Sequence, residues 1–271
     1  MCLNYPACAQ RVCPMKQILL IGVGAGNPEQ ITVEAVNALN RVQVFFVLDK
    51  GPDAGDLLRW REEICRRFIV ESSYRWVQVR DPQRDDQVQA GEQAYEQGVA
   101  DWHEQRSRLL EGLIAEHLGP DEIGALLVWG DPGLYDGTLR IVERILARGR
   151  EVFDYRVIPG ISSVQALVAR HRIPLNRIGE PVRITTGRRL AACRPDEVEN
   201  TVVMLDAHCT FERFVGQGLD IYWGAYLGTD DEILLAGRLD DLCEPIKQRR
   251  QEARLRKGWI MDTYLLRKPL G

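Results

Sequence analysis

The sequence predicts a two-domain α/β protein, with a parallel-type N-terminal domain and a smaller, strand-rich α/β C-terminal domain. Two observations predict it. Apolar runs alternate with segments of helical period through the first part of the chain, the signature of strand–helix–strand units. Beyond IPLNRIGEP (173–181), which carries two prolines and a glycine, the apolar runs lie closer together with one helical stretch among them. The 271 residues suffice for one large core or two smaller ones.

QILLIGVG (17–24) is a buried strand ending in a glycine loop, since a short apolar run bounded by glycine suits a strand covered on both faces. Ile31, Ala35, Ala38, Leu39 and Val42 then fall at helical spacing. VQVFFVL (42–48) is a second strand and RFIV (67–70) a third. From about Asp85 to His117 a long helical pattern sets Tyr95, Val99, Trp102, Arg106, Leu109, Leu113 and His117 along one stripe, stopped by Gly119 and Pro120. ALLVWGD (125–131) is a strand entering a loop, TLRIVERILARG (138–149) a helix closed by Gly149, VFDYRVIPG (152–160) a strand and ISSVQALVARHR (161–172) a helix. The expected boundaries are a flexible leader over 1–15, a first domain over 16–176 and a second over 177–271. In the second, VRITTG, TVVML, IYWGAYLG, EILLAG and WIMDTYLL are strands, with one helix between about Pro245 and Lys257.

A net charge of −4 disfavours broad nucleic-acid affinity, which rests on neutralising phosphates. No apolar run approaches the ~20 residues that span a bilayer. The seven cysteines are an odd number with no CxxC pair and no Cys/His cluster of zinc spacing. A reduced, cytoplasmic protein without a metal is the expectation. The leader MCLNYPACAQRVCPM holds three of the cysteines but lacks the basic start and apolar core of a signal peptide.

IGVGAGNPEQIT (21–32) raises the question of a phosphate. A dinucleotide fingerprint wants GxGxxG, but here the third-glycine position is Asn27, and Pro28 removes a backbone N–H. Pro28 also suits the first position of a helix capped by Asn27, and Asp49 sits where a ribose-binding acid would. A nicotinamide or flavin site and a plain strand-to-helix turn both remain open on this loop alone. Two further loops, WGDPGLYDG (129–137) and VIPGISSVQA (157–166), each follow a strand and precede a helix. Loops at the carboxyl ends of parallel strands line the ligand crevice, so the three should gather at one edge.

GVGAGNP, WGDPGLYDG and VIPGISSVQA, in this order, resemble the tetrapyrrole methylases, whose pattern is a GxGxGxP loop, a GDP loop and a P-G-(I or V)-(S or T)-S loop. DWHEQ, RHRIPLNRIGEPVRITTGRR, TVVMLD, IYWGAYLG and GWIMDTYLLR are similar to a branch acting on a corrinoid precursor of cobalamin biosynthesis, and the resemblance runs from Gln17 to Lys268. It implies S-adenosyl-L-methionine as cofactor, held in a cleft between the domains by Pro28, Trp129, Gly130, Asp131, Leu134, Ser162, Ser163, Asp206 and Gly228. Related enzymes commonly carry an apolar residue near the position of Asp206. Structural roles are open beside the binding ones, a turn at Asp131 before Pro132 and helix capping at the serines. The resemblance also implies a homodimer.

Methyl transfer from a sulfonium needs alignment and water exclusion more than an acid or base, and no catalytic triad is evident. The branch also implies loss of an acetyl group as acetate, which needs a base for water. Asp49, Lys50, Tyr135 and His171 are the candidates; His103 and His117 belong to the long helix as packing or surface residues. A corrinoid precursor carries many carboxylates, and Arg170, Arg172, Arg188 and Arg189, within a run that also holds Arg177, Arg183 and Arg194, are the expected substrate contacts. Methylation of another ring position, ribosomal RNA methylation (disfavoured by the acidic balance), a nicotinamide oxidoreductase and a non-enzymatic corrinoid carrier are the rival readings.

Overall fold

The structure, a computed structural model, describes residues 15–49, 51, 55–70, 73–83 and 91–269. The leader before Met15 and Lys50 lie outside the described residues, as does the side chain of Tyr95.

Strands β1 (Gln17–Gly22), β2 (Val44–Asp49), β3 (Arg75–Arg80), β4 (Ile123–Val128) and β5 (Asp154–Ile158) form a sheet in the order β3-β2-β4-β1-β5. Every pairing in it is parallel. Helices lie on both faces. Leu19 and Ile21 of β1 pack with Leu39 of α1 (Val33–Leu39) and Ile64 of α2 (Gly55–Phe68). Ile18 and Leu20 point the other way, onto Leu110 and Ile114 of α3 (Gly91–His117) and Ile141 and Ile145 of α4 (Thr138–Arg148). That two-residue alternation, with both faces covered, is why QILLIG is apolar throughout.

The second sheet runs β6-β7-β10-β8-β9, from β6 (Arg183–Thr186), β7 (Asn200–Met204), β8 (Asp220–Ala225), β9 (Ile233–Arg238) and β10 (Asp262–Arg267). Only β6–β7 is parallel. Helix α7 (Leu239–Lys257) covers one face around Trp223, Tyr264 and Ile246, and the short α6 (Gly187–Leu190) follows β6. The other face is covered by α5 (Ser163–His171), whose Val164 and Leu167 pack on Val202 and Leu265. The chain therefore passes from one sheet to the other at the turn before Ser162, well ahead of residue 176.

Three expectations are corrected. RFIV is not a strand: Arg67 and Phe68 end α2, and the third strand is RWVQVR (75–80). A four-residue apolar run cannot distinguish the two states, and Ile64, Cys65 and Phe68 continue the buried face of α2. In α3 the deepest face is His103, Ser107, Leu110, Glu111 and Ile114, beside the expected stripe. Buried polar residues hid it, for Arg148 donates to Glu111 Oε2 and to Ser107 Oγ, each at 2.9 Å. Helix α7 starts at Leu239 and carries Pro245 inside it.

Candidate active site

The loops after β4, β1 and β5, three neighbouring strands, meet through glycine. Gly24 and Gly130 form an antiparallel bridge, with Gly130 N donating to Gly24 O at 2.8 Å. A Cβ on Gly22 would lie 2.6 Å from Gly160 N and 2.9 Å from Gly130 O. Side chains are excluded there because three backbones cross. Asp131 locks the crossing: Oδ2 accepts from Gly160 N at 2.9 Å and Oδ1 from Gly133 N at 2.8 Å. By contrast, a Cβ on Gly130, at φ +72, meets nothing closer than Ser162 Cα at 3.7 Å. That face of Gly130 opens on free space.

The crossing answers the question of a phosphate. An anion cradle needs backbone N–H groups aimed at the ligand. Here Val23 N donates to Val128 O, Gly24 N to Gly130 O, Glu29 N to Asn27 Oδ1 and Gln30 N to Asn27 O. Pro28 opens a short 3₁₀ turn capped by Asn27, as its sequence implies. Loops 23–27, 129–137 and 159–162 hold no lysine or arginine, and the charge at their centre is the Asp131 carboxylate. A pyrophosphate would find the N–H groups of Val23, Gly24, Glu29 and Gln30 occupied and would meet a like charge at Asp131. A cation would not.

The facing edge of the second sheet closes on this crossing. A Cβ on Gly26 would overlap Leu227 O, and one on Gly228 would lie 2.7 Å from Asn27 N, with Gly228 at φ +78. Thr263 Oγ1 donates to Ser163 Oγ at 2.9 Å, Tyr135 Oη to Ile184 O at 3.1 Å, and Leu134 packs with Ala25 and Leu227. Ser162 is buried; its hydroxyl accepts from Val164 N as the cap of α5 and bonds Gln165. A cavity of about 430 Å³ opens along the second sheet's edge, lined by Leu205, Asp206, Ala207, Arg250, Trp259 and Met261.

Asp206 departs from its expected role. It is buried, and its carboxylate accepts from Thr210 N and Tyr264 Oη at 2.6 Å, Thr210 Oγ1 at 2.9 Å and His208 N at 3.0 Å. Those bonds hold the turn after β7 and occupy the carboxylate. Below it Arg250 pairs with Asp262 at 3.0 Å, while Trp223 Nε1 donates to the same Asp262 oxygen at 2.9 Å. Burial raises the Asp262 pKa, opposed by the Arg250 charge.

Sequence reasoning missed the contribution of α2. Trp60 packs on Trp129 of the first domain (4.9 Å between centroids) and edge-on to Trp259 of the second (6.1 Å). Trp259 in turn meets Tyr226 at 5.0 Å, and Lys257 Nζ bonds Asp56 at 3.0 Å across the domains. Trp129 Nε1 and Gln30 Oε1 are buried without a hydrogen-bond partner among the described residues. Trp60 and Trp259, far apart in sequence from each other and from Trp129, gave no local signal.

Among the expected substrate contacts, Arg170 is bound to Glu232 (Nε to Oε1, 2.6 Å), whose Oε2 accepts from Gly228 N. Arg172 is the left-handed C-cap of α5, at φ 56. Arg188 and Arg189 are exposed on α6. Of the candidate bases, His171 is withdrawn: its Nε2 lies 3.1 Å from Trp223 O in mid-strand, its ring meets Tyr222, and burial lowers its pKa. Asp49 stands at the end of β2, accepting from Gly51 N at 2.8 Å and Gln78 Nε2 at 3.1 Å.

A doubly wound domain whose glycine loops face a mixed sheet across a cleft defines a cleft-binding α/β enzyme architecture. The chain belongs to the Tetrapyrrole (Corrin/Porphyrin) Methylases, whose family profile matches residues 17–243. It is 49% identical over 254 residues to a precorrin-6A synthase [deacetylating] of Sinorhizobium sp, covering 94% of this chain and 96% of that one. A precorrin-2 C(20)-methyltransferase of Sinorhizobium sp is 26% identical, over 69% of this chain and 72% of that one. A solved cobalamin synthesis related protein (CobF) from Corynebacterium diphtheriae superposes with a TM-score of 0.80 at 37% identity, covering 94% of this chain and 99% of that one. The fold is shared with a Thermus thermophilus uroporphyrin-III C-methyl transferase complexed with S-adenosyl homocysteine, at a TM-score of 0.58 and 16% identity over 93% and 97% of the chains.

Proposed function

We propose that this chain is an S-adenosyl-L-methionine-dependent C-methyltransferase that converts precorrin-5 to precorrin-6A, methylating C1 and releasing acetate, in cobalamin biosynthesis. The observation that carries the reading is the three-glycine crossing: a backbone-lined floor in which the N–H groups of Gly24, Gly130 and Gly160 are occupied and one carboxylate sits at the centre. It suits a phosphate-free cationic nucleoside. The name of the 49% identical relative supplies the substrate.

The residues fit the cofactor. Gly130 offers an open backbone face, and Pro28, Trp129, Asp131, Leu134, Ser162, Ser163 and Gly228, with the backbone at Asp206, are the residues that would hold the cofactor. Adenosylmethionine supplies an activated methyl group on a positively charged sulfur. The protein contributes alignment between two rigid sheet edges and exclusion of water by the tryptophan cluster. For deacetylation, water adds to the acetyl carbonyl, the C–C bond breaks, acetate leaves, and the electron pair delocalised in the macrocycle takes the methyl at the ring carbon. Asp49, with carboxylate lone pairs still available, is the group assigned to accept the water proton. Arg188 and Arg189 on α6 are assigned to substrate carboxylates.

The same reading makes the enzyme a cytoplasmic homodimer without nucleic-acid or membrane partners. Among the described residues no helix is long and apolar enough to cross a membrane. Calorimetric titration should show heat with S-adenosylhomocysteine and none with NADH. With precorrin-5, a gain of one methyl in mass should accompany acetate release. Acetate release should persist without adenosylmethionine; a strict requirement for it would overturn the order of steps.

A further inference from the structure

Helix α2 places a guanidinium where the first sheet splits. Strand β2 pairs with β3 along its whole length, Val44 to Asp49, but with β4 only at Val44 and Phe45. Strand β4 stays with β1 as far as Val128. The two therefore diverge towards their carboxyl ends, leaving a wedge on the edge that carries the three-glycine crossing. Arg61 fills it. Its Nε donates to Leu127 O at 3.1 Å, the β4 carbonyl beyond the last β2 pairing, and its Nη1 to Leu57 O at 3.4 Å. No carboxylate lies within ion-pair distance of Arg61 among the described residues, and its Nη2 has no protein partner there. Arg61 as a whole is partly exposed.

A partly buried guanidinium without a carboxylate is unusual, because burial of an unpaired charge is costly. The neighbouring charges oppose one another, and neither neutralises the guanidinium by direct contact. Asp136 is the acid that attracts Arg61 and Arg106 the cation that repels it, while Asp81 lies 2.8 Å from Arg106 Nε. Asp136 Oδ1 in turn accepts from Thr138 N at 2.7 Å. Burial lowers the Arg61 pKa, yet a guanidinium stays charged at neutral pH. The fork is thus fixed on two main-chain oxygens, its outer nitrogen free, two residues upstream of Trp129. That is preorganisation for an incoming carboxylate.

We propose that Arg61 binds one carboxylate of the macrocyclic substrate, in the wedge between β2 and β4. The inference rests on the corrinoid-methylase reading and extends substrate contact from the second-domain arginines to the floor of the first domain. Arg61 is a specificity-determining residue in this scheme. Adenosylmethionine does not touch it.

Arg61→Met and Arg61→Lys test this in the full-length enzyme. In Arg61→Met the KM for precorrin-5 should rise on the order of 10- to 100-fold, the loss of one charge-assisted bond. The change in kcat should be smaller, the Kd for S-adenosylhomocysteine unchanged, and Arg61→Lys should restore part of the KM. Equilibrium binding of uroporphyrin III, a porphyrin polycarboxylate, gives a second readout that needs no turnover. A wild-type enzyme that turns over precorrin-5, with Arg61→Met matching its KM and its uroporphyrin binding, overturns the role of Arg61 and leaves the methylase reading intact. A wild-type enzyme inert on precorrin-5, with uroporphyrin binding lost in Arg61→Met, overturns the substrate and keeps Arg61 as a carboxylate receptor. Loss of S-adenosylhomocysteine binding in both variants would reassign Arg61 to supporting the loop after β4.

Discussion

Gly160→Ala is the sharpest perturbation of the crossing. The residue has no left-handed φ, so alanine there meets only a steric cost. Its Cβ would lie 2.8 Å from Gly22 C and 2.9 Å from Gly22 Cα, and closer still to Gly130 O. Those atoms are backbone of two other loops and cannot rotate away, so the loops must separate by roughly an ångström to regain normal contact. Overpacking of this kind costs about 1–3 kcal/mol. The bond from Gly160 N to Asp131 Oδ2, 2.9 Å long, is strained by the same movement and is worth about 1.5–3 kcal/mol if lost. Together they lower Tm by roughly 4–20 °C. Gly149→Ala is the control: Gly149 has φ +67 and nothing within 4 Å of its Cβ position, so only a conformational cost of about 1–2 kcal/mol applies. Thermal melts with and without S-adenosylhomocysteine, followed by calorimetric titration, separate the two. The control should be stabilised by the ligand like the wild type, whereas Gly160→Ala should melt lower and give no binding heat. A Gly160→Ala enzyme that binds S-adenosylhomocysteine as tightly as wild type would refute the placement of the cofactor on the crossing.

Asp206→Asn should lower stability by about 1–3 kcal/mol, since a buried acceptor of four bonds becomes a poorer one, while the KM for adenosylmethionine holds; a KM effect without destabilisation would restore the carboxylate to the cofactor site. Arg250→Met should cost about 3–5 kcal/mol in urea unfolding by stranding buried Asp262, and adding Asp262→Leu should recover part of it. His103 and His171 both have pKa values lowered, in each case chiefly by burial. Their neutral forms are the folded ones, so stability is full above the unfolded histidine pKa of about 6.5. It falls as pH drops from there through the lowered folded values, because the unfolded chain then binds more protons. Melts at pH 7.5 and 5.5 should show the fall, and His171→Gln should reduce it; an identical pH slope in that variant would contradict the assignment.

The sequence disclosed the glycine loops well, because each is a contiguous signal and their convergence follows from a rule about parallel sheets. It disclosed α4 equally well, through a clean helical stripe and a left-handed Gly149 cap. It misplaced the third strand and the buried face of α3, where the decisive partners are distant. Ser107 and Glu111 are buried because Arg148 of α4 reaches them, and no local pattern records that. Asp206 failed for a similar reason. Its position at the end of β7 was correct, but the direction of its carboxylate depends on Thr210 and Tyr264. The tryptophans at 60 and 259 became meaningful only once folded, as did their packing with Trp129.

Those tryptophans bear on why both domains are needed. Asp56 and Trp60, one turn apart on α2, reach Lys257 and Trp259 of the second domain, while Arg61 beside them holds Leu127 O of the first. One helix thus touches the far domain, the loop after β4 and the wedge. Next to the aromatic cluster, since Leu227 and Gly228 directly follow Tyr226, Gly26 against Leu227 and Gly228 against Asn27 bring backbone directly onto backbone. Such contacts cannot slide without collision, whereas an aromatic cluster and an ion pair can rearrange. The glycine contacts fix the register of the two sheets, and α2 ties the second domain to the first beside them. A methyl donor on one side and a macrocycle on the other must be aligned to within a fraction of an ångström for in-line transfer. Backbone contacts that cannot slide, reinforced by the neighbouring aromatic and ionic contacts of α2, meet that requirement.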